Sequence, residues 1–382
     1  MRPRNAFLAG LKVAPDSIPL HQNFGLLYFN DGDYQHARRW LAKAVALGST
    51  EPGVAFSLAA SEIRTGEELQ GYGRLLKLEE PLRAQPAYWS ERGWVELRQQ
   101  NPAAASSSFD RALALDSEDI RALNGAASAA EAQHQDEKAL SFLLRARKAQ
   151  PEDIRTLTHF GALCLRRDLS VDALDALERA HKLAPANDLV LFLYAQAQIA
   201  FEQWQLAHDL FVDFDRRLPN YAPAQYALGW LDVRLNRAGE ARQHLEKSLA
   251  LDAALFDARY ELGQLDLNEN RLDDAETELN LVLKARPQHA KANIAMGDVL
   301  LQKGDLAAAM ARYESAIAAD GKSGPAHYKL STVLTRLRQT ERAAQERALG
   351  AELNAQATKG AKTVLVLVQP DGRVLNGDSE WR

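Results

Sequence analysis

Residues 154–187 read IRTLTHFGALCLRRDLSVDALDALERAHKLAPAN, and this stretch decides the fold. Apolar and small residues recur with helical spacing from Leu157 to Cys164 and again from Ala173 to Ala180. Pro185 then ends the second helical stretch. The pattern predicts two antiparallel helices. A single pair of this length cannot bury its apolar face, so we expect it to stack on neighbouring pairs.

The same pattern recurs through the chain every 34 residues. A small residue is expected where the two helices of a pair approach closely, and it is glycine in six repeats. These glycines are Gly25, Gly93, Gly161, Gly229, Gly263 and Gly297. Twelve residues later the chain carries a second small residue, which is alanine in nine repeats of ten. Four residues after that comes a bulky side chain, and only Arg347 breaks this series. The recurrence predicts an all-α array of stacked helix pairs.

Composition and motifs argue against several classes of function. The formal charge of −5 gives no basic bias of the kind that nucleic-acid binding needs. No apolar run is long enough to span a membrane. The single cysteine, Cys164, excludes a disulfide within one chain. No phosphate loop, dinucleotide fingerprint or metal-ligand spacing is present, so we expect neither an enzyme nor a cofactor or metal site.

The repeating pattern resembles the tetratricopeptide repeat (TPR). Its best-known letters are carried by Trp89, Gly93, Ala105, Phe109 and Ala112. Ten units of 34 residues fill residues 18–357: 18–51, 52–85, 86–119, 120–153, 154–187, 188–221, 222–255, 256–289, 290–323 and 324–357. The resemblance implies a right-handed superhelix, an α-solenoid in which the first helix of each unit lines a concave groove.

Two units depart from the pattern. In the second, Gly71 and Gly73 lie inside the second helix and Pro81 follows, so we expect that helix to be bent or weak. In the tenth, Arg347 and Gly350 replace core residues, as expected of a terminal cap.

The two ends also differ from the repeats. Residues 1–17 resemble the second helix of a further unit, which predicts a half-repeat or an N-terminal capping helix. Residues 358–382 read as a linker followed by a β-hairpin with its turn at Pro370–Gly372. The strand Val364–Val368 is apolar on both faces, so it needs cover. It packs on the last repeat, begins a further domain, or allows self-association of two chains.

The candidate binding residues lie at positions of the first helix that should face the groove. They are Trp94, Arg121, Arg155, Phe192, Tyr226, Trp230, Tyr260, Ile294 and Tyr328. Aromatic side chains supply large contact areas for a bound peptide. The alternative is that these aromatic residues pack adjacent first helices together.

Arg121 and Arg155 fall at the same position of neighbouring units. Two guanidiniums there could bind a carboxylate or phosphate of a ligand. The alternative is that nearby acidic side chains balance them. The lysine that the chaperone-binding branch of the family uses to hold a C-terminal carboxylate is absent, which argues against a cochaperone of that kind.

The sequence therefore predicts a non-enzymatic scaffold that binds a peptide or protein segment in its groove. The alternative is the recognition arm of a larger enzyme or secretion-system component whose catalytic domain is elsewhere. Cytoplasm is the expected location, with periplasm the alternative if the chain is part of a longer exported protein.

Overall fold

A computed structural model describes residues 2–357, which form twenty-two helices and no strand. The chain divides into two compact units, one ending at Cys164 and the other beginning at Leu165. The predicted hairpin in residues 358–382 lies outside the described residues. No described helix is long and apolar enough to cross a membrane.

The first unit contains α1 to α10 and most of α11. Their bounds are α1 Arg2–Val13, α2 Ile18–Asn30, α3 Tyr34–Ala46, α4 Pro52–Arg64, α5 Glu68–Leu76, α6 Glu79–Leu82, α7 Pro86–Arg98, α8 Pro102–Leu115, α9 Ile120–Glu131, α10 Asp136–Ala149 and α11 Ile154–Arg166. In the second unit they are α12 Ser170–Leu183, α13 Asp188–Ile199, α14 Trp204–Arg217, α15 Ala222–Arg234, α16 Ala238–Leu251, α17 Phe256–Asn268, α18 Leu272–Ala285, α19 Ala290–Gln302, α20 Leu306–Ala319, α21 Gly324–Arg336 and α22 Thr340–Ala357.

The helices keep the 34-residue period of the sequence. First helices begin at residue 18 and then every 34 residues up to residue 324, and second helices begin at residue 34 and then every 34 residues up to residue 340. Turns of three or four residues join the two helices of each repeat, so the pair is antiparallel. Several second helices pack both on their own first helix and on the first helix of the next repeat: α3, α5 and α8 in the first unit, and α14, α16, α18 and α20 in the second.

The predicted close approach of paired helices is confirmed where glycine marks it. A Cβ atom on Gly25 would lie 2.6 Å from the Leu41 side chain, and one on Gly297 would lie 2.5 Å from the Tyr313 ring. Leu41 and Tyr313 are fully buried bulky residues of the second helices. The glycine therefore makes room for the bulky side chain sixteen residues later.

Each turn within a repeat holds one residue in the left-handed region of backbone space, with φ between 56° and 94°. These residues, again 34 apart, are Gly32, Gly66, Gln100, His134, Asp168, Glu202, Asn236, Asn270, Gly304 and Arg338. A side chain other than glycine costs about 1 kcal/mol or more in this conformation. Packing of the two helices imposes the turn even where the sequence offers no glycine.

Four repeats have a buried acidic residue near the end of the first helix, always at the eleventh position of the repeat. They are Glu62, Glu96, Asp232 and Asp266. Each carboxylate has a basic partner between 2.7 and 2.9 Å away: Arg74, Arg92, His244 and Arg242 respectively. A buried carboxylate is tolerated only when it is paired in this way. The repeat core therefore contains ionic contacts as well as apolar ones.

The two atypical repeats differ from the regular helix pair in different ways. In the second repeat, residues 52–85, the second helix is interrupted. Its first part, α5, ends at Leu76, and a separate four-residue helix, α6, contains Pro81. In the tenth unit Arg347 is exposed, whereas Gly350 is buried against Gly324. At the other end, the Phe7 ring of α1 stacks on Phe24 of α2 with their centroids 5.3 Å apart.

Two glycines of α5 provide a matched test of the close approach. A Cβ atom on Gly71 would lie 2.6 Å from the carbonyl oxygen of Ala59, whereas one on Gly73 would meet nothing within 4 Å. Gly71→Ala should therefore lower the free energy of unfolding, because overpacking costs about 1–3 kcal/mol. Gly73→Ala should raise it by about 0.5–1 kcal/mol, the usual preference for alanine in a helix. Urea unfolding of the full chain measures both changes. Stabilisation by both substitutions would show that α4 and α5 are not in close contact at Gly71.

Candidate functional site

The first helices of successive repeats form one surface, here called the first-helix face. Within the first unit α2, α4, α7 and α9 contact one another in order, and within the second unit α15, α17, α19 and α21 do the same. Each unit therefore has its own first-helix face. The nine predicted binding residues are buried (Phe192, Tyr226, Trp230), half-buried (Trp94, Arg121, Tyr260, Ile294) or exposed (Arg155, Tyr328).

Phe192 is a core residue, and its prediction as a groove residue is wrong in this structure. Its side chain is 0 % exposed. Its ring lies 5.4 Å from Phe211, 5.2 Å from Phe214 and 5.7 Å from Tyr221, measured between centroids. The second helix α14 supplies two of these three rings, so the side chain points between the helices and away from a ligand.

Tyr226 and Trp230 are also largely buried, at 8 % and 4 % exposure. The Trp230 ring packs edge-on against Trp204, with centroids 5.7 Å apart, and its face is covered by the guanidinium of Arg234. Burial raises the pKa of the Tyr226 hydroxyl. These contacts favour the packing interpretation for both residues.

The accessible part of the aromatic series lies on α17, α19 and α21. Tyr260 is half-buried beside His289, its hydroxyl oxygen accepts a hydrogen bond from Gln264, and burial raises its pKa to about 12. Ile294 packs at the edge of an apolar cluster around Tyr313. Tyr328 of α21 is 53 % exposed.

In the first unit, Trp94 and Arg121 belong to one contact between α7 and α9. The Trp94 indole nitrogen donates to the backbone oxygen of Arg121 at 3.2 Å, and its ring packs edge-on against Phe109. Trp94 therefore holds the start of α9 in place.

The side chain of Arg121 is ion-paired with Glu91, a residue that sequence reasoning missed. Glu91 is buried, and Arg64 donates to both of its carboxylate oxygens at 2.8 Å. Burial alone would raise the pKa of Glu91, but the charges of Arg121 and Arg64 outweigh it and hold the pKa below its ordinary value. The structure thus favours the alternative in which an acidic neighbour balances Arg121. Arg155 is exposed and close enough to help lower the pKa of Arg121.

In the second unit a carboxylate on the first-helix face is left without such a partner. Glu261 of α17 is half-buried, and among the described residues it forms no hydrogen bond and no ion pair within 4.0 Å. Burial raises its pKa. Sequence reasoning missed Glu261 as well. The guanidinium of Arg234 donates to a terminal carbonyl oxygen, that of Trp230, at 3.1 Å.

In the part of the chain that the structure describes, no group of three or more histidine, cysteine or acidic side chains is arranged to hold a metal ion. Cys164 is buried in α11 and is not in a disulfide.

The buried Glu91 network gives a stability prediction. Glu91→Gln should lower the free energy of unfolding by about 3–5 kcal/mol, because two guanidiniums lose their carboxylate. The folded pKa of Glu91 is depressed, so its contribution is present above the unfolded pKa and is lost as the pH falls through the folded pKa. The gap between variant and wild type in urea unfolding should therefore narrow in acid.

The matched control is Glu80→Gln, at an exposed ion pair with Arg83. It should change the free energy of unfolding by less than about 0.5 kcal/mol. Equal urea midpoints for Glu91→Gln and Glu80→Gln would contradict a structural role for the ion pairs of Glu91.

Two solved structures are among those similar to this chain. A structure titled "MamA RS-1 ArsTM double mutant" is 21 % identical with a TM-score of 0.40, covering 45 % of this chain and 98 % of that one. The yeast protein Tom70 is 14 % identical with a TM-score of 0.44, covering 90 % of this chain and 84 % of that one. No curated protein sequence matches the chain.

Three family models match, and each describes a tetratricopeptide repeat. They match residues 18–47, residues 90–154 and 294–357, and residues 233–298. The matched segments lie in both units and together cover more than half of the chain. The chain belongs to the tetratricopeptide repeat family.

Proposed function

We propose that this protein is a scaffold that binds a peptide or protein segment of a partner on its first-helix face. Membership of the tetratricopeptide repeat family supports a protein-interaction scaffold, since arrays of this kind are typically non-catalytic. The right-handed superhelix and the concave groove that the resemblance implies are part of this proposal.

The observation that carries the proposal is the exposure of Tyr328 on α21. It occupies the same position of its repeat as the largely buried Tyr226, yet 53 % of it is open to solvent. Exposed aromatic side chains provide contact area at small entropic cost and are enriched at the centres of interfaces. Tyr260 and Ile294 lie at the same position on the two preceding first helices, which contact each other and α21 in order.

The residues assigned to binding are therefore fewer than the sequence predicted. Tyr260, Ile294 and Tyr328 form the apolar part, and the exposed Arg155 stays a proposed polar contact. Trp94, Phe192 and Trp230 are assigned to packing because their rings contact neighbouring aromatic rings, and Tyr226 is assigned to packing because it is buried. Arg121 is engaged by Glu91.

Other sequence predictions stay predictions. Self-association through Val364–Val368 is tested by deleting residues 360–382 and measuring the mass in solution. A cytoplasmic location, or a periplasmic one for a longer exported protein, is tested by fractionating cells.

Tyr328 separates binding from stability. Peptides selected from a random display library on the immobilised full chain should bind Tyr328→Ala about tenfold more weakly, the usual loss at an interface aromatic. Thermal unfolding should change little, because the side chain is largely exposed. Fluorescence anisotropy and differential scanning calorimetry measure the two effects.

Two variants serve as controls. Leu281→Ala removes a 41 % exposed apolar side chain from the second helix α18 and should leave peptide affinity unchanged. Trp230→Ala should lower the free energy of unfolding by about 3–5 kcal/mol, as expected for a buried aromatic. Selection of no peptide at all, or equal losses in Tyr328→Ala and Leu281→Ala, would contradict the proposal.

A further inference from the structure

One arrangement of charged residues occurs twice in the chain, five repeats apart. A basic residue ends one first helix, a glutamate follows on the next first helix, and a second basic residue begins the one after. The upstream set is Arg64, Glu91 and Arg121, and the downstream set is Arg234, Glu261 and Lys291. The spacings are 27 and 30 residues in both sets. Each set lies within a single unit.

In the upstream set all three residues are ion-paired. Arg64 donates to both carboxylate oxygens of Glu91 at 2.8 Å, and Arg121 donates to the same carboxylate. Glu91 thus holds two guanidiniums, one from each side. This contact shows which chemical group a glutamate at this position of the repeat accommodates.

In the downstream set the three residues form no ion pair with one another within 4.0 Å. The guanidinium carbon of Arg234 lies 3.0 Å from the centroid of the Trp230 ring, and its only hydrogen bond to a described residue is to the Trp230 carbonyl oxygen. Lys291 is exposed and forms no ion pair with a described residue. Glu261 is left without a partner in the described residues, although it is half-buried.

Two substitutions between the sets account for the difference. The residue four before Arg64 is Ala60, whereas the residue four before Arg234 is Trp230, whose ring holds the guanidinium. Where the upstream set has Arg121, the downstream set has Lys291. An ammonium group cannot donate two parallel hydrogen bonds to a carboxylate, and it is more strongly hydrated than a guanidinium.

We propose that Glu261 binds the side chain of an arginine supplied by a partner segment, which takes the place that Arg121 takes upstream. The proposal rests on the proposed function and names the chemistry of its ligand. The guanidinium would donate two hydrogen bonds to the half-buried carboxylate, a strong contact because both groups are charged. Burial and the nearby charge of Glu261 raise the pKa of Tyr226 and of Tyr260, so both hydroxyls lie near this carboxylate.

Neighbouring charges are compatible with a cationic ligand. Asp257 lies near Glu261 and Asp298 lies near Tyr260, and each also pairs with a basic side chain, Arg286 and Lys329 respectively. Arg234 and Lys291 repel a cation, but the upstream carboxylate already holds two guanidiniums with Arg155 close by.

The experiment uses the full chain and the displayed random peptides. Peptides selected on wild type should share an arginine, and changing that arginine to lysine or to citrulline should weaken binding by about tenfold or more. Glu261→Gln should weaken it equally. Glu240→Gln, at an exposed acidic residue of the second helix α16, should leave the affinity unchanged.

A third variant supplies the missing guanidinium within the chain. Lys291→Arg restores the residue type of the upstream set and should raise the melting temperature while weakening peptide binding by about tenfold. Glu261→Gln should unfold at the wild-type urea midpoint, because no ion pair is lost.

Either of two results would overturn this inference without overturning the proposed function. One is selected peptides without a shared arginine, or with an arginine whose binding survives both Glu261→Gln and Lys291→Arg. The other is a fall in the urea midpoint of Glu261→Gln comparable to that of Glu91→Gln. Such a fall would show that Arg234 already forms an ion pair with Glu261. In either case selected peptides that still depend on Tyr328 would leave the proposed function standing. Selection of no peptide would overturn both.

Discussion

The structure depends on the fact that two short helices cannot bury their apolar faces by themselves. Each pair needs a neighbour, so the same contact must recur at the same place in every repeat. Within each pair, the small residue of the first helix makes room for the bulky residue sixteen positions later, and this close approach recurs from repeat to repeat. Their geometry tolerates little change, because a Cβ atom on Gly93 would already lie 2.7 Å from the Phe109 ring. A constant repeat length follows from this constraint.

Charged groups follow the same period as the apolar ones. Buried acidic residues at the eleventh position are paired across helices, as Glu62 is with Arg74 and Asp232 with His244. Glu91 at the sixth position joins three successive first helices through Arg64 and Arg121. Glu261 occupies the same position as Glu91, yet among residues 2–357 it forms no ion pair.

The sequence predicted the fold well because the period is carried by residue size. Helix starts at every thirty-fourth residue, the interruption between α5 and α6, and the close approach at the glycines all follow from small and bulky residues in constant register. The left-handed turn residues were missed. Gln100, His134 and Arg338 take a conformation that their own side chains disfavour, because packing of the flanking helices imposes it.

The site was less predictable, since periodicity tells which side chains share a face but not how deeply each is covered. Phe192 and Tyr260 occupy equivalent positions, yet α14 places two rings against Phe192 while Tyr260 stays half-buried. Arg64 and Arg234 are likewise equivalent, yet Arg64 pairs with Glu91 while the guanidinium of Arg234 lies over the Trp230 ring. By itself the sequence determined the repeat, the helices and the small-to-bulky contacts, because these depend on local spacing. Tertiary structure decided which aromatic residues are accessible and which charges are paired, because those depend on side chains that meet only when neighbouring repeats stack.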